Sequence, residues 1–279
     1  MKIDAHQHFW RLSNGFYDWL TPELAAIYSD FEPSHLEPLL ASAGINGTVV
    51  VQAAADPRET EFLLSLAERH ALIKGVVGWI DMETKSGIAT LRDFARDPIF
   101  KGIRPMIQDI EPADWMLRPQ LDAAYRALIE LGLSFDALVK PPHLDALHIL
   151  ATRYPQLPIV IDHGAKPQIR DGLGSFDRWA QQIARLAVLP NVHCKLSGLL
   201  TEARPGATLA DLSPYLDHLH SAFGASRLMW GSDWPVLLLE STYGDWNAMF
   251  GAWLGSKPAS ECADMLGGTA TRFYRLEQA

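Results

Sequence analysis

Two histidines two residues apart, His6 and His8, close an apolar run near the start of the chain in Asp4-Ala5-His6-Gln7-His8-Phe9-Trp10. Side chains alternate faces along a β-strand, so both imidazoles project the same way, separated by about two rises of ~3.3 Å. That spacing suits convergence on one metal ion or one substrate oxygen. A third histidine, His163, ends Pro158-Ile159-Val160-Ile161-Asp162-His163-Gly164, and a carboxylate, Asp233, ends Met229-Trp230-Gly231-Ser232-Asp233-Trp234-Pro235. Beside imidazoles, a carboxylate can hold a water and take its proton. Its plain structural alternative is a turn or helix cap. Arg104, in Lys101-Gly102-Ile103-Arg104-Pro105, has no acid nearby in the sequence, and a guanidinium suits oxygen-rich ligands. Lys140, Lys166 and Lys195 follow or close other apolar runs, where each can bind substrate or form an ion pair.

Groups this far apart in the chain meet only if strands deliver them to one place. Eight β-branched runs alternate with longer helical stretches: Lys2 to His8, Thr48 to Gln52, Lys74 to Asp81, Lys101 to Met106, Leu133 to Lys140, Leu157 to His163, Asn191 to Ser197 and Leu228 to Asp233. Helical periodicity falls on Glu59 to His70, Gln120 to Leu131, Leu144 to Arg153, Phe176 to Leu186 and Leu209 to Phe223. Parallel strands joined by right-handed crossovers follow from such alternation. Eight units predict a single-domain distorted (β/α)8 barrel over residues 1–279, with the reacting groups at the C-terminal ends of the strands. A doubly wound sheet would carry a glycine-rich phosphate turn after an early strand, and Gly-x-Gly-x-x-Gly is absent.

The connection from Trp10 to about Pro33 carries Trp10, Tyr17, Trp19 and Tyr28, and is expected to wall or cover the barrel mouth or to pack on its rim. Trp10, Trp19 and Trp234, with the three lysines, are the candidates for gripping a ligand. The remaining histidines carry less chemistry: His35, His70, His143, His148, His218 and His220 fall on helical segments, and His193 lies early on the seventh strand.

Composition bounds the partners. With 279 residues and 48% hydrophobic content the chain can bury one large core, and a net charge of -9 disfavours nucleic acid or an anionic membrane. No apolar stretch reaches the ~20 residues of a membrane span, and the chain enters its first strand after Met1-Lys2 without a targeting segment. Cys194 and Cys262 lie too far apart for a zinc-type pair and fit reduced thiols. A cytoplasmic enzyme acting on a small molecule is the expectation, with oligomeric state open.

The same blocks, with Asp162-His163-Gly164-Ala165-Lys166-Pro167, Lys195-Leu196-Ser197-Gly198 and Gly231-Ser232-Asp233-Trp234-Pro235 in order along the chain, resemble the amidohydrolase superfamily. They are most similar to its amidohydrolase-2 branch, which contains sugar lactonases of the L-fuconolactonase and L-rhamnonolactonase kind. The resemblance implies a distorted barrel that hydrolyses a sugar-acid lactone, L-fucono-lactone or a close relative, with Asp233 as base and His163 and Arg104 as catalytic partners. It also implies that His6, His8, His163 and Asp233 hold one Zn2+ or other divalent metal, if a metal is bound and needed at all. A metal-dependent decarboxylase of aromatic acids is the alternative on this fold.

Overall fold

β-Branched and apolar side chains on both faces of short runs drive strands into positions buried on two sides. The computed structural model describes residues 1–276 and contains eight such strands. They are β1 (Ile3–Gln7), β2 (Gly47–Val51), β3 (Ile73–Gly78), β4 (Phe100–Ile103), β5 (Ser134–Ala137), β6 (Ile159–Ile161), β7 (Val192–Leu196) and β8 (Leu228–Trp230). All neighbours pair in parallel, in the order of the sequence. The last strand meets the first through its continuation: Asp233 N donates to His6 O at 2.8 Å and His8 N to Trp234 O at 2.7 Å. The result is a nearly closed, single-domain (β/α)8 barrel.

Helices α1 (Pro33–Ala43), α2 (Pro57–Ala67), α3 (Lys85–Phe94), α4 (Asp122–Leu131), α5 (Leu144–Arg153), α6 (Phe176–Ala187) and α7 (Leu209–Phe223) form the crossovers. In α5, Leu144, Leu147, Leu150 and Ala151 recur at helical spacing and are all buried, which presses one face onto the strands. Asp56 starts α2 by accepting from Arg58 N at 2.8 Å, with Pro57 in the first turn. Helices α8 (Tyr243–Leu254), α9 (Ala259–Ala263) and α10 (Thr269–Tyr274) follow the last strand. Inside the barrel Ile3, Ala5, Val49, Val51, Val77, Val160 and Met229 pack with Ala270 and Tyr274 of α10. No helix among the described residues is long and apolar enough to cross a membrane.

The strands stop short of the sequence-based expectation at their C-terminal ends. β6 ends at Ile161 rather than His163, and β8 at Trp230 rather than Asp233. Beyond β6 the chain turns into left-handed conformations at His163 (φ 54), Ala165 (φ 63) and Lys166 (φ 49), and beyond β8 at Asp233 (φ 59). Such backbone cannot continue a ladder and costs of order 1–3 kcal/mol per residue. His163 and Asp233 therefore sit on the turns that leave the sheet.

His193, away from the mouth, packs its ring on Phe273 with centroids 4.7 Å apart, and its Nδ1 is buried without a partner. Burial, with Arg227 and Arg272 nearby, lowers this imidazole from 6.5 to about 4. Between those values the unfolded chain binds more protons than the folded one, so stability falls as pH drops from 6.5 toward 4. In His193→Leu that slope should be shallower by up to ~1.4 kcal/mol per pH unit. Urea midpoints at pH 7 and pH 5 for both proteins measure it.

Candidate active site

Three imidazoles and one carboxylate converge above the apolar interior. His6 and His8 come from the end of β1, His163 from the turn after β6 and Asp233 from the turn after β8. Asp233 Oδ1 lies 3.6 Å from His6 Nε2, 3.3 Å from His8 Nε2 and 3.8 Å from His163 Nε2. All four side chains are almost wholly buried. Two glycines allow this crowding. A Cβ on Gly231 would come within 2.7 Å of His6 Cβ, and one on Gly198 (φ 60) would overlap the His163 ring and approach Asp233 Oδ2 to 3.1 Å.

The second ring nitrogens are held from behind. His8 Nδ1 lies 2.7 Å from Val51 O, which can only accept, so Nδ1 carries the proton. His163 Nδ1 pairs with Ser197 Oγ at 2.9 Å, and His6 Nδ1 faces Asp162 Oδ1 at 3.3 Å. Burial lowers the affinity of all three imidazoles for a proton, His163 to about 4. Burial alone would raise Asp233, but His163, His8 and His6 crowded around it outweigh it and hold the carboxyl below its usual range. At neutral pH the centre is thus an ionised carboxylate facing neutral imidazoles.

That pairing has a consequence for cations. Neutral His8 with its proton on Nδ1 turns the lone pair of Nε2 toward the lone pairs of Asp233 Oδ1, an arrangement that favours a positive charge between them. Ligand bonds of ~2.0–2.1 Å in a tetrahedron place donor atoms roughly 3.3 Å apart. The 3.3 and 3.6 Å separations of His8 and His6 from Asp233 Oδ1 fit such a donor set, with His163 Nε2 wider at 3.8 Å. His6, His8 and Asp233 form one group able to hold a metal, and His6, Asp162 and His163 another that shares His6.

Arg104 enters from the end of β4. Its Nη1 lies 3.3 Å from His6 Nε2 and 3.5 Å from Asp162 Oδ2, while Nη2 donates to Gln52 O. Gln52 Nε2 in turn donates to Arg104 O, clamping the two strand ends together. The guanidinium and any bound cation therefore compete for the His6 Nε2 lone pair.

The other sequence candidates are distributed around this centre. Trp10 is fully buried, its indole donating to Ser29 O at 2.8 Å and its ring stacked 6.4 Å from His8. Trp19 crosses Trp10 edge-on at 5.6 Å, remains 37% exposed and donates to Ala53 O at 2.7 Å. Trp234 is buried between Phe9 and Phe31. Lys140 and Lys166 line a cavity of about 590 Å³ with Arg170, Arg178, Trp179 and Glu202, beside the ends of β5 to β7. Lys195 lies below the imidazoles with no exposure, 2.6 Å from Asp136 Oδ2 and 2.9 Å from Asp162 Oδ1. It is a residue of β7, not of the turn after it, and so points into the barrel.

Among residues that sequence reading did not select, Asp136 and Tyr274 join Lys195, and Glu59 accepts from Ala53 N and Ala54 N at 2.8 to 3.0 Å, closing the turn after β2. Burial raises the Glu59 carboxyl to about 8. Three histidines outside the mouth have structural partners: His143 Nδ1 accepts from Lys140 N at 3.1 Å, His218 bonds Ala180 O and His220 bonds Glu261.

A family of amidohydrolases matches residues 3–276. The chain belongs to the amidohydrolase family. This amidohydrolase is 46% identical over 287 residues to an L-fucono-1,5-lactonase of Burkholderia ambifaria, covering 99% of this chain and 96% of that one. It is 36% identical to an L-fucono-1,5-lactonase of Burkholderia multivorans, covering 100% and 97%. A crystal structure of a Burkholderia multivorans amidohydrolase with bound zinc superposes with a TM-score of 0.95 at 33% identity, covering 99% of this chain and all of that one. Likeness to a 5-carboxyvanillate decarboxylase from Sphingomonas paucimobilis, at 12% identity and a TM-score of 0.67, is one of fold alone.

Gly198→Ala should fold yet displace the His163 ring, and turnover should fall by more than tenfold with secondary structure retained. Steady-state kinetics beside circular dichroism check this.

Proposed function

We propose that this amidohydrolase opens the ring of L-fucono-1,5-lactone, or a close sugar-acid lactone, by adding water and releasing the free aldonic acid. The observation that carries the reading is the convergence of Asp233 with three neutral imidazoles in a chain so close over its full length to L-fucono-1,5-lactonases. Hydrolysis of a cyclic ester needs a water that loses a proton, a donor for the carbonyl oxygen and a proton for the leaving ring oxygen. The site offers a group for each.

In this reading Asp233 takes a proton from water, and the water oxygen attacks the lactone carbonyl carbon. Arg104 Nη1 lies beside His6 Nε2, where a guanidinium can stabilise negative charge developing on the carbonyl oxygen. One preorganised donor of this kind is worth about 10²–10³ in rate. When the ring C–O bond breaks, Asp233 returns the proton to the leaving oxygen. His163, held by Ser197, fixes the geometry opposite His8.

Asp233 is held well into its ionised form and is by itself a weak base. His6, His8 and Asp233 have the spacing to hold one divalent ion such as Zn2+, with His163 Nε2 beside them 3.8 Å from Asp233 Oδ1. When bound, such an ion would lower the pKa of a nearby water to about 7 and polarise a carbonyl. Trp19, Lys140 and Lys166 remain accessible for the sugar hydroxyls and ring face. Trp10 and Trp234 act through packing, Trp10 by backing the His8 ring, and the segment from Trp10 to Pro33 walls that side of the mouth. The amidohydrolase acts as an intracellular catalyst on a small, neutral ligand.

Asp233→Asn should keep the fold and lower kcat on L-fucono-1,5-lactone by at least 10³, read from acid release in weakly buffered indicator. Wild-type activity in that variant overturns the base assignment. Chelation of the purified wild type should abolish acid release, and Zn2+ should restore it. Turnover that survives chelation would assign the imidazoles and Arg104 as the direct electrophiles. Carbon dioxide release from an aromatic acid, with no lactone opened, would favour the decarboxylase reading.

A further inference from the structure

Charge continues below the mouth through an otherwise apolar barrel. Asp162, at the end of β6, faces two residues of the proposed reaction centre: its Oδ1 lies 3.3 Å from His6 Nδ1 and its Oδ2 lies 3.5 Å from Arg104 Nη1. Lys195 Nζ sits under it, 2.9 Å from Asp162 Oδ1 and 3.1 Å from His6 Nδ1. Lys195 also donates to Asp136 Oδ2 at 2.6 Å. Asp136 is held in turn by Ser134 Oγ on Oδ1 at 2.8 Å and by the Tyr274 hydroxyl on Oδ2 at 2.5 Å. Tyr274 comes from α10, after the last strand, and is 1% exposed.

Two carboxylates and two cations, Lys195 and Arg104, balance in this column. Balance does not explain its presence, because apolar side chains of similar volume are often as stable or more so than a buried ion pair. Ile3, Ala5, Val49, Val77 and Met229 fill the same interior that way. The column does something that apolar packing cannot. A carboxylate with one oxygen toward His6 and one toward Arg104 fixes the ring and the fork relative to each other. Asp162 and Lys195 both face His6 Nδ1 and hold the ring from behind, while Nε2 faces Asp233 Oδ1.

We propose that Asp162, Lys195, Asp136 and Tyr274 are positioning residues forming one column, and that α10 thereby sets the orientation of His6 and Arg104 through the barrel interior, from below the mouth. Their importance for turnover rests on the reading of the reaction centre given above; their hold on the His6 ring does not. Tyr274 touches no reacting atom. It acts by restraining Asp136, which restrains Lys195, which restrains Asp162.

Tyr274→Phe removes one hydroxyl and keeps the ring. The expected result is a fall in kcat on the order of tenfold, as for other groups that orient active-site ligands, with KM within twofold. The His6 ring resonances in long-range 1H–15N spectra should shift together with kcat. Tyr125→Phe is the control, since that buried hydroxyl donates to Met116 O at 2.9 Å away from the site. It should lower the melting temperature without changing kcat or the His6 signals. Unchanged His6 resonances in Tyr274→Phe would overturn the column, whatever happens to its stability or rate. Shifted resonances with unchanged kcat would overturn its part in turnover. Shifted resonances in a protein whose wild type opens no lactone would keep the column and reject the lactonase reading. If Tyr274→Phe does not fold, Asp136→Asn is read by the same spectra and rates.

Discussion

A carboxylate and a neutral imidazole that turn lone pairs toward each other repel unless positive charge lies near, and Asp233 and His8 do so at 3.3 Å. Most of the architecture around the mouth can be understood as what holds that arrangement in place. The Val51 carbonyl fixes the His8 tautomer, Ser197 anchors His163, and the backbone hydrogen bonds between the continuations of β1 and β8 set His6 and Asp233 side by side. The last of these would not form in a sheet open between its first and last strands. Closure of the barrel and assembly of the site are the same event.

The cost of the arrangement is spread over several elements. Left-handed backbone at His163 and Asp233 aims each side chain inward after its strand has ended. Gly198 and Gly231 give up side chains so that the imidazoles can approach. Apolar staves inside and helices outside, among them the buried faces of α5 and α6, supply the burial that offsets this strain. Burial also keeps the imidazoles neutral, which leaves their lone pairs ready for a cation or a proton.

The order and number of the strands were legible because each is a short run rich in apolar residues, most of them ended by a polar one, and because helices of the right length separate them. His6, His8, His163, Arg104 and Asp233 stood out by the same contrast, as polar groups closing apolar runs, and the structure brings all five together. Strand limits were less legible. Nothing in Asp162-His163-Gly164-Ala165-Lys166 announces a left-handed run at non-glycine residues, and the ladder stops where that run begins. Asp136 was missed because attention to strand ends passes over a charge inside the short run Ser134–Ala137, although a lone aspartate among apolar strand residues is itself a signal. Tyr274 was missed for a different reason: an aromatic on a late helix reads as packing, and only the folded chain shows its hydroxyl on Asp136. Lys195, read as a strand-end group, belongs to the strand proper, and alternation within β7 turns it into the barrel.

The centre joins the sixth residue of the chain to residue 233, and the column below it reaches residue 274. During synthesis, then, the first strand leaves the ribosome more than two hundred residues before the segment that completes its ladder. Until then one edge of β1 lacks its native neighbour, a state in which sheets pair wrongly or recruit chaperones. A nascent chain of this protein can hold most of its barrel and still possess none of its chemistry.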